Sequence, residues 1–185
     1  MSETTWLVRT AHTHEFTPQE LAAIHDLLDK AFGGDFGDED WDHSLGGVHT
    51  VLYDSDGAPV AHGSVIMRRV MHGGRSYRVG YVEGVAVRAE LRRQGLGDLV
   101  MGVLEGVIGR AYDLGALSAS DAGAALYRSR DWQLWRGRIE AIGPAGVVHL
   151  PDEEDSTFLW AGSAAEKLPE PSKALVFDWR DGDVL

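Results

Sequence analysis

Two periods of apolar residues alternate along this chain. Residues 5–11 read as extended, and then Leu21, Ile24, Leu28 and Ala31 recur at the three-to-four-residue spacing of a helix. Thr17-Pro18-Gln19-Glu20 marks its start: threonine as cap, proline in the first turn, glutamate closing a capping box. Gly33-Gly34 ends it, and an acidic loop follows with Asp35, Asp38, Glu39, Asp40 and Asp42. Val48–Tyr53 and Pro59–Val70 predict strands joined by a turn at Asp56-Gly57. His72-Gly73-Gly74 turns the chain again into a strand over Tyr77–Val87. The pattern then becomes helical at Leu96, Val100, Val103, Leu104, Val107 and Ile108, predicting a helix over 96–111. A short strand at Ala116–Ala119 and a short helix at 121–130 come next. Further strands are expected near 132–141, 146–150, 156–161 and 174–179. Hairpins with segregated helices predict an α+β sheet fold.

Composition narrows this picture. A chain of 185 residues, 44% hydrophobic and with six tryptophans, suits one domain over 1–185 with its own core. Trp132, Trp135 and Trp160 are expected in that core. No apolar run approaches the roughly 18 residues of a membrane span. The opening residues carry no basic segment followed by an apolar one, so a cytoplasmic protein is expected. With no cysteine, a disulfide, a thiolate metal site and a cysteinyl intermediate are all excluded. The eight histidines are scattered, His12-x-His14 has no further partner at ligand spacing, and no metal is expected. A formal charge of −12 argues against nucleic acid and anionic membranes and is compatible with a cationic ligand.

The candidate chemistry begins at Tyr81-Val82-Glu83-Gly84-Val85-Ala86-Val87, an apolar strand interrupted by an acid. It runs on to Arg92-Arg93-Gln94-Gly95-Leu96-Gly97 at a helix start. Glycines there let backbone N–H groups approach an anion, and the helix dipole and two arginines favour negative charge. From the residues alone, Glu83 could face solvent or act as a base, and Tyr127 could be a packing residue or a proton donor.

The order of strand with acid, Arg-x-x-Gly-x-Gly, helix, short strand and Ala-x-x-Leu-Tyr resembles the GNAT superfamily of acetyl-CoA-dependent N-acetyltransferases. Flanking segments resemble its aminoglycoside 2′-N-acetyltransferases: Gly34-Asp35-Phe36, Asp40-Trp41-Asp42-His43, Leu45-Gly46-Gly47, Gly80 to Glu83, Leu114 to Ser120, Asp178-Trp179-Arg180 and Gly182-Asp183. The resemblance implies the GNAT fold, a central mixed and mostly antiparallel sheet flanked by helices, and acetyl-CoA as cosubstrate. Val85, Ala86 and Val87 would pair with the pantetheine arm, and Arg92, Arg93, Gln94, Gly95, Leu96 and Gly97 would hold the pyrophosphate. It implies Glu83 as base, acting through water, and Tyr127 as acid toward the departing thiolate. Asp35, Asp40, Glu83, Gly84, Ser118, Asp152, Glu153, Asp183 and Leu185 would line the site of a polycationic aminoglycoside, and a homodimer is expected. Another amino sugar as acceptor, a basic peptide, or a binding module without turnover stay open. Two positions depart from the pattern. The family often ends in tryptophan where this chain has Leu185, and Asp131 stands where glycine is usual. Aspartate tolerates the left-handed helix cap better than most residues, which would keep Tyr127 in place.

Overall fold

The cap written at Thr17 forms as the sequence predicts. In the computed structural model, which describes residues 5–162 and 167–185, Thr17 Oγ1 accepts from the Glu20 N–H, and Glu20 Oε2 accepts from the Thr17 N–H at 2.7 Å. Helix α1, Pro18–Ala31, follows. Residues 1–4, the first of those read as lacking a signal, lie outside the described part.

The chain divides into two units, residues 1–66 with 82–104 and residues 67–81 with 105–185. Strands β3 (Pro59–His72) and β4 (Arg75–Val87) and helix α3 (Leu96–Ala111) supply residues to both. In the first unit, β1 (Leu7–His12) pairs antiparallel with β2 (Val48–Tyr53), and β2 pairs antiparallel with β3. Phe16, Ile24, Leu28, Val51 and Ala86 form its buried cluster. A Cβ on Gly63 would lie 2.8 Å from Leu104 Cδ1 and 2.9 Å from Val100 Cγ1, so β3 bears directly on α3. The expected acidic loop is corrected here: Asp38–His43 is a short helix, α2. Its first turn holds Asp38, Glu39 and Asp40, which suit the positive end of a helix. Only Trp41 breaks its polar run, so no apolar period revealed it.

In the second unit, β4 pairs parallel with β5 (Leu114–Ser118) from Val79↔Leu114 to Tyr81↔Ala116. Strand β9 (Thr157–Trp160) lies antiparallel to β5 and carries β6 (Gln133–Leu134) on its other side. Strand β10 (Leu175–Asp178) joins β3 antiparallel and β7 (Ile139–Gly143) parallel, and β8 (Gly146–His149) closes that side as an antiparallel hairpin. The strand expected at 132–141 is two strands, because the chain leaves β9 and joins β10 over Trp135–Arg138. Helix α4, Ala124–Ser129, is shorter than the predicted 121–130. The α+β class and the mixed, mostly antiparallel sheet are as expected. Among the described residues no helix is long and apolar enough to cross a membrane.

Candidate functional site

Glu83 sits half-buried in the second half of β4, and Gly84 beside it takes φ +57°. That left-handed backbone suits glycine and distorts the strand. Side chains of β3 reach the carbonyls there: His62 Nδ1 lies 2.7 Å from Gly84 O, and Ser64 Oγ lies 3.5 Å from Glu83 O. Val85 and Val87 are half-buried and Ala86 is buried. Within this unit β4 has β3 on one side and, among the described residues, no strand of the unit on the other. An extended ligand could pair with that edge.

The turn after β4 has the geometry of an anion cradle. Arg93 takes φ +61° and Gly95 φ +84° just before α3. Among the described residues, no backbone acceptor takes the N–H groups of Arg93, Gln94 or Gly95. Successive free N–H groups at a helix start fit a pyrophosphate. The structure divides the arginines. Arg92 donates to Val87 O at 3.2 Å and Ala31 O at 2.9 Å, bracing the turn, while Arg93 is exposed. Of the acidic residues after α1, Asp35 is exposed, and Asp40 Oδ2 accepts from the Gly37 N–H at 2.8 Å to cap α2.

The second unit brings three predicted residues together. Ser118 Oγ lies 3.2 Å from Glu153 Oε2, and Ser156 Oγ lies at the same distance. Burial raises the Glu153 pKa and the charge of nearby Asp183 raises it further, against the two serine hydroxyls. A cation beside this pair would oppose both effects by its charge. Asp152 and Asp183 are exposed, while Leu185 is buried in the cluster with Tyr81, Phe177 and Val184. Tyr127 is 8% exposed, its ring 6.3 Å from those of Trp132 and Phe158. Asp131 takes φ +64°, as expected, and Trp132 N–H returns to Tyr127 O at 3.1 Å to seal the end of α4. Glu105 steadies this turn from α3, accepting from Arg130 at 2.8 and 2.6 Å and from Trp132 Nε1 at 2.9 Å. Among the described residues no group of three or more His, Asp or Glu side chains is placed to hold a metal ion.

Sequence reasoning missed His49 and His62, both fully buried, with His49 Nδ1 2.9 Å from His62 Nε2. Their only signal was histidine at inward positions of two apolar strands. Burial first, then the charge of His12, pushes His49 down to about 4; burial first, then His49, pushes His62 down to about 3. Both lie below the ordinary 6.5, so the unfolded chain binds more protons as pH falls through that value. Stability is therefore full above about pH 6.5 and falls toward pH 4, by on the order of 3 kcal/mol for each ring. Urea midpoints across this window check it, with a shallower slope expected for a His49→Asn, His62→Asn variant. Equal slopes would contradict it.

Comparison with known proteins adds the family. A model of the acetyltransferase (GNAT) domain matches residues 12–135. The aminoglycoside 2′-N-acetyltransferase of Mycolicibacterium fortuitum is 41% identical over 177 residues, 95% of this chain and 90% of the relative. Among solved structures, the GNAT family N-acetyltransferase YhbS of Escherichia coli, in complex with CoA, matches with a TM-score of 0.67 at 16% identity, over 98% of this chain and 93% of that one. A probable N-acyltransferase from Enterococcus faecalis matches with a TM-score of 0.60 at 17% identity over 73% of this chain. The match is 34% of that larger protein, about a third of its length. The chain belongs to the GNAT acetyltransferases and, within them, to the family of the aminoglycoside 2′-N-acetyltransferases.

Proposed function

We propose that this protein transfers the acetyl group of acetyl-CoA to the 2′-amino group of an aminoglycoside, which would confer resistance. The observation that carries the reading is the similarity to the M. fortuitum enzyme along nearly the whole chain. It treats residues 1–185 as one catalytic domain, supported by a family model that runs through residues of both units. The edge of β4 at Val85–Val87 and the N–H groups from Arg93 to Gly95 fit the pantetheine arm and the pyrophosphate. Coenzyme A bound to the E. coli relative supports acetyl-CoA as the cosubstrate. Arg92 shapes the turn, and Gln94, Leu96 and Gly97 complete it.

In this scheme Glu83 takes a proton from the substrate ammonium through a water, and the free amine attacks the thioester carbonyl. A C–N bond forms, the C–S bond breaks, the second proton of the attacking nitrogen leaves to solvent, and Tyr127 protonates the leaving thiolate and is reprotonated from water. Direct attack with both substrates held together draws its acceleration mainly from proximity. Asp35, Asp40, Gly84, Ser118, Asp152, Glu153, Asp183 and Leu185 are the proposed contacts of the polycation, the acidic ones through charge-assisted hydrogen bonds. A homodimer is part of the reading: Ile142, Val147 and Val148 are exposed on the β7–β8 hairpin. Light scattering showing a monomer would remove it. A cytoplasmic location would place the enzyme with its acetyl donor.

Thiol release from acetyl-CoA tests the reaction with kanamycin B, which bears a 2′-amine, and kanamycin A, which bears a 2′-hydroxyl. Turnover of the first alone is expected. Equal turnover of both would move the acetylated position, and silence on both would favour another acceptor or a binding module.

A further inference from the structure

The two buried imidazoles have no part in the scheme above, yet they end at the residue after Glu83. His62 Nδ1 lies 2.7 Å from Gly84 O. A carbonyl only accepts, so His62 carries its proton on Nδ1 and accepts at Nε2. His49 Nδ1, at 2.9 Å from that Nε2, must then be the donor. With both rings neutral His49 Nε2 is left to accept, and Thr13 Oγ1 donates to it at 2.8 Å in preference to Gly47 O at 3.3 Å. Thr13 Oγ1 in turn accepts from the Gly46 N–H at 2.9 Å. Each step has one solution with both rings neutral, and the chain Gly46, Thr13, His49, His62, Gly84 runs in one direction. Every ring nitrogen is satisfied, and such chains polarise one another in a dry interior.

The end of this chain falls at the distortion in β4. Gly84 holds φ +57°, and a Cβ there would lie 3.1 Å from Ser44 Oγ and 3.4 Å from the His62 ring. The peptides on either side of Gly84 set the direction in which Glu83 leaves the strand. The carbonyl of Gly84 is held by the His62 side chain, and just beyond the strand the Arg88 N–H donates to Val60 O at 2.8 Å.

We propose that His62, held in one tautomer by His49 and Thr13, is a positioning residue that fixes the Gly84 peptide and so aims the Glu83 carboxylate. The role rests on the reading of Glu83 as base. The hydrogen-bond chain beneath it does not, so the two are tested by different readouts. Nitrogen-15 NMR of the imidazoles near pH 7 is expected to show both rings neutral and protonated on Nδ1. An Nε2–H tautomer or a charged ring at either position would overturn the chain and the proposal with it. For the role, His62→Asn keeps an N–H donor close to the place of Nδ1, and His62→Leu removes it. The leucine variant is expected to lower kcat by about 10–100-fold with little change in KM for acetyl-CoA, and asparagine to restore most of it. A fully active leucine variant, or equal losses in both, overturns the positioning role. If Glu83→Gln is fully active, the base reading fails and takes this role with it, while the tautomers still decide the chain.

Discussion

Arg68→Met is expected to lower the stability of the protein by about 2–4 kcal/mol. The guanidinium is 1% exposed inside the second unit. Its Nε donates to Asp178 Oδ1 at 2.8 Å, Nη2 to Asp178 O at 2.7 Å and Nη1 to Val184 O at 2.7 Å. Its Cζ also lies 4.9 Å from the Tyr81 ring centroid and 5.1 Å from that of Phe177. Burial lowers the Arg68 pKa and the charge of Arg180 lowers it further, while Tyr81 and Asp178 oppose them. The ion pair contributes little by itself, because the Asp178 side chain is 44% exposed and can turn to water. Most of the loss comes from two carbonyls deprived of donors, although Val184 O keeps Arg180 Nε at 3.1 Å. Relief of the buried charge offsets part of it, which sets the upper end of the range. Arg68→Lys should recover less than half, since an ammonium lacks the planar fork that serves three acceptors. The same bonds tie down the segment carrying Asp183 and Leu185, so KM for the aminoglycoside should rise more than KM for acetyl-CoA. An unfolding midpoint equal to that of the wild type would remove this account.

Arg68 also shows what a sequence conceals. In Met67-Arg68-Arg69 nothing distinguishes the arginine that is buried from its neighbour, because the partners lie about 110 residues away. Local signals did better. The cap at Thr17 and the helix over 96–111 rest on contacts within a few residues, and both stand as the pattern predicted. The break at Trp135–Arg138 was hidden for the opposite reason: β6 and β7 share a β pattern but pair with different strands. For the site, the order of glutamate, arginines and glycines was legible, whereas the grouping of Ser118, Glu153 and Asp183 came only from the family resemblance, since the three are far apart in the chain. The use of Arg92 as a brace and the direction of the histidine chain depend on atoms that meet only after folding.

Glu83→Gln is expected to lower kcat/KM for a 2′-amino aminoglycoside by about 10²–10⁴-fold near pH 7, with coenzyme A binding unchanged. Glutamine is close to glutamate in size and leaves Glu83 O and Gly84 O with their β3 partners, so the fold should persist. What it removes is a group that can accept the ammonium proton. The pH dependence separates this from a general loss of activity. As pH rises, solvent supplies more free amine, and the deficit of the variant should shrink by about tenfold per unit below the amine pKa. Tyr127→Phe should behave differently. Its deficit concerns the leaving thiolate, with an ordinary thiol pKa of about 8.5, so it should be smaller and should fade only above that pH. The ring of Tyr127 packs against Trp132 and Phe158, and phenylalanine keeps those contacts. Two deficits that fade over different pH ranges would assign the two proton transfers to the two residues. A Glu83→Gln variant whose pH profile runs parallel to that of the wild type would mean that the proton leaves by another route, and the carboxylate would then serve to hold the cation in place.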